Sequence, residues 1–433
     1  SVHEDAYKTN YFNGRYYGEY RHLFADKHDV KVVAGLDLEI NKYRDLGGTK
    51  LDLITNDVAT VNTATNDKPS LYGGYTHWAT MGYFARLNYA YDERYLLEVS
   101  LRRNGSSRFI GDKRWATFPA FSLGWDIANE AFFAPLKQHV SMLKLRGSWG
   151  TLGNTEVKAL YPWFLAQPVG TANSQWVLNG ERQNTSNSPG LVSSSLTWER
   201  IESWNVGLDF GAFNNRLQGQ LDYFNRTTRD MVGPPAPKPF TIGAGLPQVN
   251  NATLVSKGWE AELRWRDNIG KVNYGARLVL SDDIQTVTEY NNPTGSLSTW
   301  YSGKRVGEIW GYTTVGIAKS NQEMTEHLKE NKPTWGSNWQ AGDIMYKDLN
   351  GDKTVSDGAS TLDNHGDLGI LGYNVPRYKF GLNLDASWNG IDVSVFLQGV
   401  GHRDWFDSSP YSVGATSAGQ WQAAGFKEHW DFF

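Results

Sequence analysis

The feature that most constrains the fold is a regular alternation of apolar and polar residues, which is clearest in residues 377–398. A period of two is that of a β-strand. The two alternating arms meet at Asn389-Gly390, and such a pair tolerates the positive φ angles of a tight hairpin turn. On the first arm the apolar set is Tyr378, Phe380, Leu382, Leu384, Ala386 and Trp388, and the polar set is Arg377, Lys379, Asn383, Asp385 and Ser387. The stretch therefore predicts a β-hairpin with one apolar face.

The same alternation recurs along most of the chain. Its apolar sets are Val32, Ala34, Leu36, Leu38, Ile40; Tyr83, Ala85, Leu87, Tyr89, Tyr91; Tyr95, Leu97, Val99, Leu101; Trp204, Val206, Leu208, Phe210; Leu217, Gly219, Leu221, Tyr223; Trp259, Ala261, Leu263, Trp265; Val272, Tyr274, Ala276, Leu278, Leu280; and Ile391, Val393, Val395, Leu397. Weaker segments lie near 11–24, 116–128 and 141–151. Together these segments predict about twelve strands.

The links between these segments alternate in length. Short links are predicted at 25–29, 92–93, 214–216, 267–271 and 389–390, and long loops at 47–74, 154–194, 230–256, 290–375 and from 404 onward. A short helix is predicted near 130–140. Short turns on one side and long loops on the other indicate an up-and-down antiparallel sheet, as in outer-membrane barrels. Many of the strands can run ten or more residues, which is enough to cross a bilayer at a steep tilt.

The polar face of these strands is rich in charge. Its residues include Arg86, Asn88, Glu98, Arg102, Lys144, Arg146, Asp209, Gln218, Gln220, Asp222, Glu260, Glu262, Arg264, Asn383, Asp385 and Asp392. These charges need water or a polar partner, because burying an unpaired charge in a dry core costs roughly several kcal/mol of folding free energy. Aromatic residues gather on the apolar face beside the short turns, as expected of rings at lipid headgroup depth. The pattern favours an all-β transmembrane barrel, and a soluble β-rich binding module or adhesin is the alternative.

Composition excludes several classes of protein. The chain has 433 residues, a net charge of −4 and no cysteine, so disulfide scaffolds, thiolate metal sites and basic nucleic-acid-binding proteins are not expected. No apolar run is long enough for a membrane-spanning helix, and residues 1–30 lack a signal-peptide pattern. Neither observation counts against a barrel, because alternating strands leave hydropathy plots nearly flat.

Several long blocks resemble the SusC/RagA family of TonB-dependent transporters in the Bacteroidetes outer membrane. They are RRNGSSRFIGDKRWATFPAFSLGWDIANEAFF (102–133), LKLRGSWGTLGN (143–154), LTWERIESWNVGLDFGAFNNRL (196–217), GDIMYKDLNGDKTVSDG (342–358) and PRYKFGLNLDASWNGIDVSVFLQGVGHRDW (376–405). The resemblance implies a twenty-two-stranded barrel, a plug domain, energy supplied through TonB and a SusD-like lipoprotein on the extracellular mouth. It also implies import of a glycan or a peptide, with pairs of the two proteins able to dimerise.

The chain departs from that family pattern in its extent. It shows no plug sequence and no TonB box, and it stops before the expected closing strands. We therefore expect residues 1–433 to form a single partial barrel domain, about strands eight to nineteen of the complete barrel. Two open sheet edges are not tolerated in a bilayer, so such a segment alone would not transport.

One loop has the oxygen-rich spacing of a cation site. In KDLNGDKTVSDG, candidate calcium ligands are Asp348, Asn350, Asp352, Thr354 through its carbonyl, and Asp357. Lys353 occupies the position where an EF-hand needs glycine, and Ala359 occupies its twelfth position. The alternative is a loop held by Asx turns without a metal. No other cofactor is expected.

Aromatic residues in the long loops are candidate contacts for substrate or for the lipoprotein lid. They are Trp163, Trp176, Trp300, Tyr301 and Trp310. Flat rings stack on sugars and anchor protein partners, although packing within the loops is the alternative role. A barrel enzyme is a further alternative. Glu260 and Glu262 share one face like a glycosidase acid pair, but hydrolase and phosphate-binding motifs are absent, so no enzyme is expected.

Overall fold

Twelve long strands dominate the computed structural model, which describes residues 1–155, 160–170, 177–186, 188–235, 239–407 and 427. They are β1 (Val2–Phe24), β2 (His28–Lys50), β3 (Ser70–Tyr91), β4 (Tyr95–Ser106), β5 (Trp115–Asp126), β6 (Val140–Asn154), β7 (Glu199–Ala212), β8 (Leu217–Gly233), β9 (Val249–Ile269), β10 (Val272–Tyr290), β11 (Arg377–Trp388) and β12 (Ile391–His402). They form one twelve-stranded antiparallel sheet in chain order. The predicted strand number and topology are confirmed.

The loops carry small elements of their own. Short strands occur at Val169–Gly170, Val177–Leu178, Glu181–Arg182, Thr185–Ser186, Glu308–Tyr312, Thr314–Ile317, Lys332–Pro333, Ile344–Tyr346, Thr354–Val355 and Leu368–Tyr373, and 3-10 turns at Val61–Thr63, Gly111–Arg114, Ile127–Asn129, Ala131–Leu136 and Phe240–Ile242. One α-helix, α1 (Asn321–His327), is present among the described residues. None of the helices described is long and apolar enough to cross a membrane.

The short helix predicted near 130–140 is present as a 3-10 helix at Ala131–Leu136, with Pro135 inside it. A shorter 3-10 turn at Ile127–Asn129 precedes it. Proline has no N–H to continue an α-helix, so the turn stays short. The α-helix that does form, α1, begins after Ser320, whose Oγ accepts a hydrogen bond from the Glu323 backbone N–H at 3.1 Å. This Ser-x-x-Glu start is a recognisable capping signal.

The hairpin turns agree with the sequence, and the strands run further than expected. Asn389 and Gly390 have φ angles of 47° and 82°, as the Asn-Gly turn requires. Because β2 continues to Lys50 and β3 begins at Ser70, the first long loop covers 51–69 rather than 47–74. The loop 234–248 is likewise shorter than the predicted 230–256, and the predicted link 267–271 shrinks to Gly270-Lys271. The loop predicted at 154–194 extends further, to 155–198, and the one predicted at 290–375 lies at 291–376.

The register places the two sets of side chains on opposite faces. In β11 and β12, Leu382 pairs with Leu397 and Leu384 with Val395, so the apolar residues of both arms share a face. The same face is exposed rather than packed, and Leu384 retains 42% of its accessible area. A continuous exposed apolar face is what a strand turned toward lipid presents.

One detail of the predicted pattern is wrong, at the start of β11. The Arg377 guanidinium donates to Asp282, whereas the Lys379 Nζ binds the Asp283 carboxylate at 2.9 Å. Asp282 and Asp283 are consecutive in an extended strand and therefore face opposite sides. Arg377 and Lys379 thus do not share a face, because Tyr378 has a φ of 52° and interrupts the alternation.

The chain divides into two compact units. The first contains residues 1–214 and 226–251, and the second contains 215–225 and 252–433. The first has a buried cluster of Phe109, Phe118, Leu196 and Trp198, and the second has one of Ala318, Met324 and Met345. Both clusters consist mainly of loop residues. Most apolar side chains of the long strands belong to neither cluster, and many of them are exposed.

Candidate functional site

The polar face of the first unit is a wall of ion pairs between neighbouring strands. Four of the pairs are Lys31–Glu19 at 2.9 Å, Arg21–Asp29 at 2.6 Å, Arg146–Asp209 at 3.1 Å and Arg86–Glu98 at 3.8 Å. Asn88 also donates to Glu98 at 2.6 Å. Pairing each charge with a cross-strand partner lets many charged side chains occupy one sheet face. The sequence analysis placed Arg86, Asn88, Glu98, Arg146 and Asp209 on this face, and the structure adds their partners. The two pairs of β1 with β2, Lys31–Glu19 and Arg21–Asp29, were not among the predicted residues.

A cavity of about 870 Å³ lies along this wall. Its lining combines the acidic Glu19 with the basic Lys31, Arg86 and Lys144, together with hydroxyl and amide groups such as Ser148. A surface with both signs of charge and neutral hydrogen-bonding groups interacts with water and with many polar solutes. The wall is therefore suited to a hydrated passage rather than to a dry core.

Glycines allow some pairs on this wall to reach across an intervening strand. Tyr72 of β3 donates its hydroxyl hydrogen bond to Asp5 of β1, passing over Gly47 of β2. A Cβ at Gly47 would collide with both Asp5 and Tyr72. These contacts were missed from the sequence, because they depend on the register of three strands.

The polar face of the second unit is also paired. Glu262 accepts hydrogen bonds from the Arg277 guanidinium through both carboxylate oxygens, at 2.7 and 2.8 Å. Fork-to-fork pairing of this kind is strong and fixes orientation. Glu262, one member of the carboxylate pair considered for catalysis, is thus committed to a neighbouring strand in this arrangement.

Trp163 lies in a loop of the first unit, beside other aromatic residues. Its Nε1 donates to the Arg108 carbonyl at 3.2 Å, and its ring lies 6.0 Å from Tyr161 and 6.2 Å from Phe164. Phe164 is 62% exposed. Trp163 itself is half-buried, so part of its ring is packed and part is accessible, as a stacking contact requires. Trp176, predicted alongside it, lies outside the described residues.

In the second unit, Glu308 brings together two predicted site residues. Its carboxylate accepts the Tyr301 hydroxyl and also the Trp310 Nε1 at 3.2 Å. Trp300 packs instead against Tyr290, with ring centroids 6.0 Å apart. Burial, together with the Glu308 carboxylate, raises the pKa of Tyr301. Tyr301 is buried, so Trp300 and Trp310 offer the more accessible rings of the three.

A larger aromatic cluster in the same loop was not recognised as a group. Tyr312 lies 4.6 Å from Trp335, and Tyr346 contacts Trp335 and Trp339 at 5.4 and 6.1 Å between ring centroids. All four rings are half-buried. Burial raises the pKa of the Tyr312 hydroxyl, assisted by nearby carboxylates. The four rings pack against one another within the loop, and only their spatial grouping identifies the cluster.

The candidate calcium loop is held by its own backbone. Asp348 accepts from the Gly351 and Lys353 N–H groups at 2.7 Å each, and the Asp352 Oδ1 accepts from the backbone and hydroxyl of Thr354. The Thr354 hydrogen bonds lower the pKa of Asp352. Lys353 adopts a φ of 67°, the conformation for which an EF-hand uses glycine.

The remaining predicted ligands, Asn350 and Asp357, take part in local hydrogen bonds. Asn350 Oδ1 accepts from the Asp352 N–H at 2.9 Å, and Asp357 accepts from the Ser360 hydroxyl at 3.1 Å. Within the described residues, no three His, Cys, Asp or Glu side chains are grouped as a metal site. The calcium site stays a prediction, since these carboxylates could rotate toward a cation only by giving up Asx-type bonds.

Sequence reasoning missed the residue that closes this loop, Asp367. It is fully buried, and its carboxylate accepts from the backbone N–H groups of Leu349 and Ser356 at 2.7 and 2.8 Å. A third bond comes from Asn350 N–H at 3.3 Å. A buried carboxylate is tolerated when such donors satisfy it. No local motif marks Asp367, because its partners lie 11 to 18 residues away.

Comparison with known proteins gives consistent matches. The family described as TonB dependent receptor-like, beta-barrel, matches residues 2–430. The TonB-dependent receptor SusC of Bacteroides thetaiotaomicron is 31% identical over 77% of this chain and 34% of its own length. TonB-dependent receptor P26 of Formosa agariphila is 26% identical over 88% of this chain and 38% of its own length. The chain spans little more than a third of these curated relatives.

A solved structure shows the same fold. The RagAB peptide transporter superposes with a TM-score of 0.73 and 22% identity, covering 91% of this chain and 41% of that one. The similarity covers most of the chain and is not limited to a local motif.

Proposed function

Because this chain belongs to the TonB-dependent receptor β-barrel family, as an outer-membrane protein of SusC/RagA type, we propose that it forms part of the wall of an importer. The proposed cargo is a glycan or a peptide nutrient, and the energy is supplied through TonB. Membership in this family is inconsistent with the soluble adhesin considered from the sequence. The family is one of receptors and transporters, so the proposal assigns no catalytic role.

The observation that supports import most directly is the separation of the two faces of the sheet. The exposed apolar face suits contact with lipid, while the opposite face carries paired charges that suit contact with water. A polar lumen wall is what a hydrophilic cargo requires. The proposal keeps both classes of cargo because it takes them from the relatives. RagAB is named a peptide transporter, whereas SusC, which is 31% identical to this chain, carries no cargo in its name.

The loops are proposed to contact the cargo and a SusD-like surface lipoprotein. Trp163 and Trp310 are the strongest candidates, because each ring is half-buried and held by an indole hydrogen bond that leaves part of its surface accessible. Trp300 is placed similarly against Tyr290. Rigid aromatic surfaces lose little conformational entropy on binding, which favours their use in recognition. Dimerisation of such pairs remains part of this proposal.

The test is uptake by cells that carry the protein in their outer membrane. Labelled oligosaccharides and labelled peptides are supplied separately, with and without collapse of the proton gradient. We expect uptake of one class, its loss when the gradient collapses, and reduced uptake in Trp163→Ala and Trp310→Ala. The matched control is Trp388→Ala, which removes a tryptophan from the apolar face. Uptake that survives gene deletion or gradient collapse would contradict the proposal.

A further inference from the structure

The apolar face of the first unit contains a groove beside the short turns. It has a volume of about 560 Å³ and is lined mainly by apolar side chains, among them Tyr95, Leu97, Leu123, Trp125, Leu145 and Val206. The volume lies within the range of small-ligand sites. The groove therefore differs from the flat apolar surface expected of a regular strand face.

A single glycine creates the floor of this groove. Gly147 pairs with Leu123 on one side and Val206 on the other, and it lies between Leu145 and Trp149 on the apolar face of β6. A Cβ at Gly147 would have the Asn205 carbonyl oxygen, at 3.9 Å, as its nearest described neighbour. Neither crowding nor a positive φ requires glycine here, in contrast to Gly47. The missing side chain leaves an open space between larger residues.

The groove continues a surface that already meets lipid. Leu123, Leu145 and Val206 are 58%, 43% and 50% exposed, on the face that the outer-membrane location turns toward the bilayer. Water in a furrow with apolar walls finds too few hydrogen-bond partners. An empty furrow loses dispersion contacts. A hydrocarbon chain avoids both costs, because it needs no hydrogen-bond partners and it fills the groove with dispersion contacts.

The end of the groove near the short turns is polar and fixed. Glu130 accepts hydrogen bonds from the Tyr95 hydroxyl at 2.6 Å and from the Trp125 Nε1 at 3.0 Å. Tyrosine and tryptophan held in this way mark the depth of the headgroups. Beyond them, Phe132 and Leu136 in the link are 66% and 53% exposed, which extends the apolar surface. A lipid in the groove would thus have its chain against Gly147 and its headgroup near Tyr95 and Trp125.

We propose that this groove binds one acyl chain of a membrane phospholipid, which remains associated with the protein as a bound lipid. The proposal depends on the membrane location of the family and not on import, so it can fail while the proposed function stands. The occupant is a phospholipid of the leaflet on the side of the short turns. A second copy of the chain, which could also cover the groove, is an outcome of the test.

The experiment is native mass spectrometry of the protein extracted from its own membrane in mild detergent. In Gly147→Leu, the new side chain fills the floor of the groove, and we expect about a tenfold loss of bound phospholipid, the equivalent of losing contact with about two methylenes. The matched control is Gly18→Leu. Gly18 also lies on the apolar face, and a Cβ there meets no described atom within 4 Å. The control should keep the bound lipid.

A second variant covers the case in which Gly147→Leu does not fold. Leu123→Ala removes an exposed groove wall without filling the floor, and it should also lose bound phospholipid relative to Gly18→Leu. Equal phospholipid binding in all variants and the unmodified protein would overturn the proposal, because it would indicate ordinary surrounding lipid. A change from dimer to monomer in Gly147→Leu with no phospholipid bound to the unmodified protein would also overturn it, in favour of a second copy.

Discussion

Arg102 of β4 forms an ion pair with Asp37 of β2 by reaching across Gly82 of the intervening strand β3. The Arg102 Nε also donates a hydrogen bond to the side-chain oxygen of Asn104 at 2.7 Å. A Cβ at Gly82 would collide with both Asp37 and Asn104. The absence of a side chain at Gly82 thus allows Arg102 to reach Asp37 over the intervening strand. A larger residue at this position would block that contact.

The first prediction concerns this glycine. We expect Gly82→Val to destabilise the protein by about 1 kcal/mol, because the valine side chain breaks the Arg102–Asp37 ion pair. The loss is modest because water partly screens this pair in the unmodified protein. The measurement is urea unfolding in lipid vesicles, followed by tryptophan fluorescence. Gly18→Val is the control, because it gains the same strand propensity without displacing an ion pair. Equal stability of the two variants would show that the Arg102–Asp37 pair contributes nothing.

The second prediction concerns the apolar face of β11. Leu384→Arg should cost roughly 2–4 kcal/mol if this position lies near the middle of the bilayer. The matched control is Ser387→Arg on the polar face of the same strand, where the new guanidinium faces Asp392 in the adjacent strand. The same unfolding assay applies. An arginine tolerated at 384 but not at 387 would reverse the assignment of the two faces.

The third prediction concerns the link at 127–139, which Glu130 holds in place. Hydrogen bonds from Tyr95 and then Trp125, with help from Arg94, lower the pKa of Glu130 below its usual value of 4.5. A lowered folded-state pKa means that the stabilisation is present above the usual value and is lost as pH falls through the lowered one. Hydrogen exchange in the link, compared with the intrinsic exchange rate at each pH, should therefore increase at acidic pH, and Glu93→Gln, which keeps Glu130, should show the same increase.

The charge-neutral variant Glu130→Gln separates this effect from general acid sensitivity. It should show raised exchange in the link at neutral pH and no further acid-dependent step. Glu93 is exposed and serves as a control of equal charge. An acid-dependent step of the same size in Glu130→Gln would assign the titration to another group.

The fourth prediction concerns the buried carboxylate of Asp367. Asp367→Asn keeps the size of the side chain but places an amide group against N–H donors, at a cost of about 1–3 kcal/mol. We expect proteolysis within 342–358 to accelerate about tenfold or more. Asp363→Asn, at an exposed position four residues away, should leave the rate unchanged. Similar rates in the two variants would contradict the anchoring role of Asp367.

The calcium prediction can be tested on the same loop. If Asp348 and Asp352 bind calcium, millimolar calcium should slow proteolysis of the 342–358 loop, and Asp352→Asn should abolish the protection. Magnesium at the same concentration is the control for ionic strength. Identical proteolysis with and without calcium would leave the Asx-turn arrangement as the complete account of this loop.

The sequence was sufficient for the strands because their information is local. The alternation around Leu384 and the Asn389-Gly390 pair each determine structure within a few residues. The pattern failed at Tyr378, since no neighbouring residue signals its positive φ. The Ser320 and Glu323 spacing could have located α1, but the apolar residues there do not form a long helical pattern.

The pairings could not be predicted in the same way. The contact between Arg102 and Asp37 joins residues 65 positions apart, and it depends on the register of β2, β3 and β4. Asp367 acts through backbone N–H groups, which carry no residue identity that a sequence could reveal. Of the predicted aromatic sites, the structure joins Tyr301 and Trp310 through Glu308, a residue that the sequence did not single out.

The most direct test of the two-faced wall is cysteine scanning of β11, for which the chain is suited because it contains no cysteine. Single cysteines at Leu382, Asn383, Leu384 and Asp385 would be exposed to a membrane-impermeant thiol reagent in intact outer membranes. The account predicts labelling at 383 and 385 and protection at 382 and 384. Labelling at 382 and 384 with protection at 383 and 385, or equal labelling at all four, would contradict it.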